Sequence, residues 1–215
     1  MHWDGRVWTE DHCGSLTREW IQLTEDMIAH GDSTDDKARM KWAHQSQNQG
    51  RVNGLMAALK PQPGCTVGFE EFNPDRHLLN VGNGILDLHT QTLMAHDPAR
   101  LITRLFAASY DPSATCPEFD KFMEAALPDP DVRTYVQRAL GYTLMGEVDQ
   151  RSIFWIYGPP GTGKSTLMET MRHIFGDYGF TAPAAALRAK VKDQTATNDL
   201  HGLRGKRFVT TSETA

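Results

Sequence analysis

The chain has 215 residues and a mass of 24.1 kDa, with 40% apolar residues and 22 Lys and Arg against 27 Asp and Glu, a formal net charge of −5. That is material for one large domain or two small ones with a real core, and the charge argues against a protein that coats nucleic acid through bulk electrostatics. No apolar run approaches the roughly 18 to 20 residues of a membrane span, the N-terminal stretch carries acids, His and Trp where a signal peptide needs an apolar segment, and Cys13, Cys65 and Cys116 form no C-x-x-C pair, so a reducing, cytoplasmic setting is expected.

From Leu16 to Leu59 apolar residues recur at helical spacing: Trp20, Leu23, Met27 and Ile28, then Val52, Leu55, Met56 and Leu59. Two or more helices are expected, with a further start at Ser33 or Thr34, and Pro61-Gln62-Pro63-Gly64 ends this helical region of residues 1–60. Residues 78–96 read as a small β-meander, because short apolar runs are broken by Gly82-Asn83-Gly84 and by His89-Thr90-Gln91-Thr92. A strand from about Leu101 to Ala108 is expected next, closed by Tyr110-Asp111-Pro112. Pro117 then opens a helix carrying Phe119, Phe122, Met123 and Ala126, and Asp129-Pro130 opens another with Val132, Tyr135, Val136, Leu140 and Leu144 on one face. Residues 61–150 are therefore taken as a second region of meander plus helices. Charge divides the chain at the same place: residues 1–150 hold 13 basic and 22 acidic side chains, and residues 151–215 hold 9 and 5. The two parts are expected to have different jobs.

The segment with explicit chemistry is Gly158-Pro159-Pro160-Gly161-Thr162-Gly163-Lys164-Ser165-Thr166, a full match to G-x-x-x-x-G-K-[ST]. Phosphate oxygens must be met by backbone N–H groups pointing inward, and residues without a Cβ let the chain curl tightly enough, hence Gly158, Gly161 and Gly163. The helix that begins at the loop adds its positive end. Lys164 can reach the β- and γ-phosphates as a point charge, and the Ser165 hydroxyl can ligate Mg2+. Ile153-Phe154-Trp155-Ile156-Tyr157 before the loop suits a buried parallel strand, and Leu167, Met168, Met171, Ile174 and Phe175 give a helix with one apolar face, stopped by Gly176.

A nucleotide site also needs an acid on a neighbouring strand. Phe208 to Thr211 suits a buried strand, and Glu213 would emerge at its C-terminal edge, where open α/β sheets bind ligands. Between loop and acid, Arg188, Lys190, Lys192, Arg204, Lys206 and Arg207 could meet a nucleic-acid backbone or a neighbouring subunit's nucleotide, with solvated surface charge at least as good a reading. The His residues make no metal-ligand spacing, and Trp3, Trp8, Trp20 and Trp42 are read as packing residues rather than a base-stacking platform.

The combination resembles the phage/plasmid primase-helicase family, whose ATPase belongs to superfamily 3 and is related to the poxvirus primase-helicase. The matching stretches are Leu79-Asn80-Val81-Gly82-Asn83-Gly84-Ile85-Leu86-Asp87-Leu88, His96-Asp97-Pro98, Leu101-Ile102-Thr103, Tyr110-Asp111-Pro112, Cys116-Pro117-Glu118-Phe119, Leu140-Gly141-Tyr142, Gly146, the glycine loop, Gly205-Lys206-Arg207 and Ser212-Glu213. A weaker trace lies in Trp3-Asp4-Gly5-Arg6-Val7-Trp8. The resemblance implies a mixed helical and β-meander region, residues 61–150 being a linker domain, followed over 151–215 by the first part of a P-loop NTPase, a parallel sheet flanked by helices. It further implies an ATP-driven homo-oligomeric ring, a hexamer, that translocates on single-stranded DNA at a replication fork, with a primase domain or subunit as a further partner and no membrane involved. Lys164 and Ser165 would serve ATP and Mg2+, and Glu213 would be the Walker B acid, although Ser212 rather than Asp precedes it.

Such helicases need further parts after the Walker B strand: a strand ending in a polar sensor, a DNA-contacting hairpin and an arginine finger. Only 57 residues follow Gly158 here. The chain is therefore expected to be a fragment, truncated after Walker B, that alone hydrolyses ATP weakly or not at all. The competing readings are another P-loop enzyme such as a kinase, and a non-catalytic nucleotide-binding or oligomerisation module.

Overall fold

In the computed structural model, the structure describes residues 1–12, 14–62, 64–147, 149–183 and 202–211. The chain is mixed α/β, with six α-helices and three small sheets among the described residues, and it divides into two compact units: residues 1–4 with 8–72, and residues 5–7 with 73–215.

The first unit is a two-stranded ribbon and three helices. Strands β1 (His2–Trp3) and β2 (Trp8–Thr9) pair antiparallel, and the rings of Trp3 and Trp8 lie across from each other with centroids 6.0 Å apart. Helix α1 (Ser15–Ser33) follows Gly14, which has no side chain to cap it, and the carboxylate of Asp11 accepts from the Ser15 and Leu16 amides instead, at 2.6 and 3.2 Å. Those two bonds hold the Asp11 carboxyl below its ordinary range. Helix α2 (Lys37–Ser46) starts at Asp36, whose side chain accepts from the Arg39 amide at 3.0 Å, so the further start expected at Ser33 or Thr34 lies a turn later. Residues 33 and 34 instead close α1: the Ser33 and Thr34 hydroxyls both donate to the His30 carbonyl. Asn48 caps α3 (Gln49–Leu59), which ends ahead of Pro61. The α1–α2 seam is partly polar. Thr24 is fully buried, donates to Ile21 O at 2.7 Å and accepts from Gln47, while Trp20 stacks edge-on against Trp42 and donates to Ser46 O.

The second unit is built on the meander β3 (Leu78–Val81), β4 (Gly84–Asp87) and β5 (Thr92–Met94), all antiparallel, with Leu79 opposite Leu86 and Ile85 opposite Met94. Leu79, Val81 and Leu86 face one core with Leu167, Met171 and Phe175 of helix α6 (Lys164–Phe175), Tyr178 and Phe208. Leu78, Ile85 and Ile102 bury the other face. Helices α4 (Pro117–Ala126) and α5 (Pro130–Met145), with Pro117 and Pro130 in their first turns, cover the larger core through Phe119, Phe122, Met123, Val136, Leu140 and Leu144. Strands β6 (Gly179–Thr181) and β7 (Phe208–Thr210) pair in parallel, Gly179 opposite Phe208 and Thr181 opposite Thr210.

Two expected strands are absent from the described fold, for different reasons. Residues 101–108 form no strand: Leu101 is left-handed, and the hydrogen bonds of the segment go to several elements, Phe106 N–H to Asn80 O, Ala107 N–H to Ile174 O at the end of α6, and Leu105 N–H to the Asp177 carboxylate. The segment is a strap joining β3 to the end of α6 and forms no single ladder. Residues 153–157 make no backbone hydrogen bond to another described residue, and they are exposed, Trp155 by 78% and Tyr157 by 92%. An apolar run buries itself as a strand only where neighbours supply both edges and both faces, and parallel pairing among the described residues is confined to β6 and β7. Among the described residues of 151–215 the expected parallel sheet comprises two three-residue strands, one of which, β6, carries no sequence signal longer than Gly-Phe-Thr.

Candidate glycine-loop site

Residues 158–163 form a tight loop that runs straight into α6. Gly158, Gly161 and Gly163 hold φ of 149°, 78° and 84°, values that disfavour a Cβ, and Gly163 is the residue before the first turn of the helix. No side chain caps α6, its first turn holds no acid, and the first backbone bond across the junction is Leu167 N–H to Gly163 O at 2.9 Å. The positive end of the helix therefore has no acidic side chain of its own first turn beside it.

Lys164 turns back into the loop. Its ammonium donates to Gly158 O at 2.8 Å, to Pro159 O, and to the Thr162 hydroxyl at 3.2 Å, and Thr162 donates onward to Pro159 O at 3.0 Å. The loop is thus folded around its own cation, whose three donors all have acceptors. An anion entering the loop exchanges those carbonyl contacts for stronger charge-assisted ones. Pro159, Pro160, Ser165 and Thr166 are exposed at the loop rim and on the first turn, so the Ser165 hydroxyl is accessible to a cation. Among the described residues no cluster of three His, Cys, Asp or Glu side chains could hold a metal. Any divalent ion here would depend on the phosphates and Ser165, together with an acid from elsewhere.

Glu213, Ser212, Arg188, Lys190 and Lys192 lie outside the described residues. Of the basic residues that are described, Arg207 points inward: its guanidinium donates to Leu144 O near the end of α5 and to Leu78 O at the start of β3 (2.8 Å), and lies 4.7 Å from the Tyr178 ring centroid. Burial lowers its pKa from the ordinary arginine value. Lys206 donates to Asp177 O at 2.7 Å, and burial followed by the neighbouring Arg104 charge lowers its pKa. Arg207 is thus a structural tie rather than the solvated surface charge the sequence also allowed; its spacing in sequence gave no sign of this, because both carbonyls come from distant segments.

What the sequence did not signal is the neighbour behind the loop. Phe122 and Ala126 of α4 stand directly against Gly163: a Cβ there would lie 2.9 Å from the Phe122 ring and 3.6 Å from Ala126 Cβ. The pair is 41 residues apart in the chain, and only the folded core joins them.

The glycine loop thus feeds an uncapped helix on a mixed α/β unit that carries a meander and two proline-initiated helices. Residues 1–128 match the model of the family described as D5 N terminal like, which is more than half of the chain, and the protein belongs to that family and is related to the primase-helicases. No curated protein matches it. Among the described residues no helix is long and apolar enough to cross a membrane.

Proposed function

We propose that this chain is the ATP-binding part of a replication primase-helicase, with residues 151–215 as the opening portion of a P-loop ATPase of superfamily 3. The observation that carries this reading is the loop Gly158–Thr166, folded with three positive-φ glycines and delivered to the uncapped start of α6. The parallel β6–β7 pair beside α6 supports it, since parallel strands flanking a helix are the setting in which such loops work.

On this reading the amides of residues 161–166 receive the β- and γ-phosphates, Lys164 leaves its loop carbonyls to neutralise them, and Ser165 holds Mg2+. Glu213 supplies the Walker B carboxylate. ATP turnover then drives a homohexameric ring along single-stranded DNA in the cytoplasm, with a primase domain or subunit working beside it. Residues 61–150 act as the linker domain ahead of the ATPase.

The test is direct. Mg-ATP should bind the 215-residue chain, measured by calorimetry, and Lys164→Ala should weaken that binding at least tenfold by removing a charge-assisted contact of about 1.5 to 3 kcal/mol. Steady-state hydrolysis by this chain is expected to be slow. Binding that is unaffected by Lys164→Ala would remove the ATP reading, and transfer of phosphate to an acceptor other than water would turn it toward a kinase.

A further inference from the structure

Gly163 sits where the loop becomes a helix, and its left-handed φ of 84° sets the direction in which the first amides of α6 point. Lys164 and Thr162 hold the Gly158–Pro159 end of the loop from within, whereas Gly163 has no side chain of its own to fix it and depends on what packs against it. Here the outside support is α4. The Cε2 and Cζ atoms of Phe122 lie 2.9 and 3.0 Å from the place a Gly163 Cβ would occupy, and Ala126 closes the same side at 3.6 Å. Phe122 itself is anchored: it lies beside Phe119, ring centroids 6.2 Å apart, and packs on the core that holds Leu167 and Met171 of α6. Helix α4 is therefore clamped both to the helix that follows the loop and to the last glycine within it. It also belongs to the segment that matches the family model, whereas the loop does not.

We propose that Phe122 is a positioning residue for nucleotide binding, its ring edge holding Gly163 and the first turn of α6 in the geometry that receives phosphates. This rests on the ATP-binding reading above and adds that the D5 N terminal like segment shapes the site directly. Removing the ring opens space beside Gly163, the loop gains conformations in which its amides diverge, and affinity falls through lost preorganisation rather than through a lost ligand contact.

Calorimetric titration of Mg-ADP into the full chain, at a temperature where every variant is folded, tests it. Phe122→Ala should bind on the order of tenfold more weakly, and Phe122→Leu, which keeps apolar volume but not the ring edge, roughly threefold more weakly with a melting temperature near that of the parent. Leu79→Ala, a cavity in the same core made from β3, should lose stability while keeping its affinity. Parent-like affinity in Phe122→Ala, or an equal loss of affinity in Leu79→Ala, overturns the proposal and leaves the ATP reading in place. If Phe122→Ala does not fold, Phe122→Leu decides, and parent-like affinity in it overturns the proposal. If the parent chain itself does not bind Mg-ADP, the ATP reading fails and the positioning role falls with it.

Discussion

Single residues at turns and junctions fix this chain through backbone groups that have no partner in their own element. Asp87, at the end of β4, accepts from the Thr90 and His89 amides at 3.1 and 2.8 Å, and those bonds hold its carboxyl below the ordinary 3.8. Because the folded value is the lower one, this stabilisation is fully present above the unfolded value and is lost as pH falls through the folded value. Melting curves taken from neutral pH to below about pH 4 should therefore drop less steeply for Asp87→Asn, which keeps an acceptor oxygen and does not titrate, than for the parent. Arg207 works on a larger gap, since it ties Leu144 O and Leu78 O under the Tyr178 ring. Arg207→Met keeps the apolar stem but strands both carbonyls, and chemical denaturation should show a loss of about 2 to 3 kcal/mol. Arg207→Lys should recover only part of it, because a point charge cannot fork to two acceptors.

Elements form or fail according to whether their patterns find partners. The meander, α4, α5 and α6 lie where apolar spacing, Pro117, Pro130 and Gly176 place them, because each signal is local: a proline that tolerates the missing amide, a glycine that leaves the helix, short apolar runs broken by turn residues. Residues 153–157 carry an equally strong apolar signal and remain unpaired as a strand among the described residues, with the Phe154 and Tyr135 rings edge-on at 6.4 Å between centroids. Because Trp155 is 78% exposed, Trp155→Ser should change unfolding free energy by less than about 0.5 kcal/mol, as for an ordinary surface substitution. A loss of several kcal/mol, measured by chemical denaturation, would contradict the exposure of this run. The strap 101–108 is the opposite case, with bonds to three segments but no ladder.

Over the whole molecule the two units differ in how much apolar surface they hide. Among the described residues of the first unit the buried apolar side chains are Ala43 and Val52, beside the polar Thr24 and Ser46, whereas the second collects the clusters around Phe175 and Ile85. Local opening costs least where buried apolar contacts are few. Native-state hydrogen exchange should therefore find α1, α2 and α3 exchanging through openings of lower free energy than α6, β3 and β4. Equal protection in the two sets would contradict the assignment of the main core to the second unit.

The amino-acid sequence by itself determined the helices with capped or proline-marked starts, the meander with its glycine turn, and the glycine loop at 158–163 with Lys164 behind it. All of these follow from interactions within a few residues. Only the tertiary structure decided that Arg207 faces inward, that Lys164 folds back onto its own loop carbonyls, that 101–108 is a strap, and that Phe122 stands behind Gly163. Each of these depends on which distant carbonyl, amide or ring edge comes within reach, and that is set by packing rather than by local pattern. Periodicity can mark a side chain as apolar or a turn as glycine-dependent, but it does not name the atom on the other side of the contact.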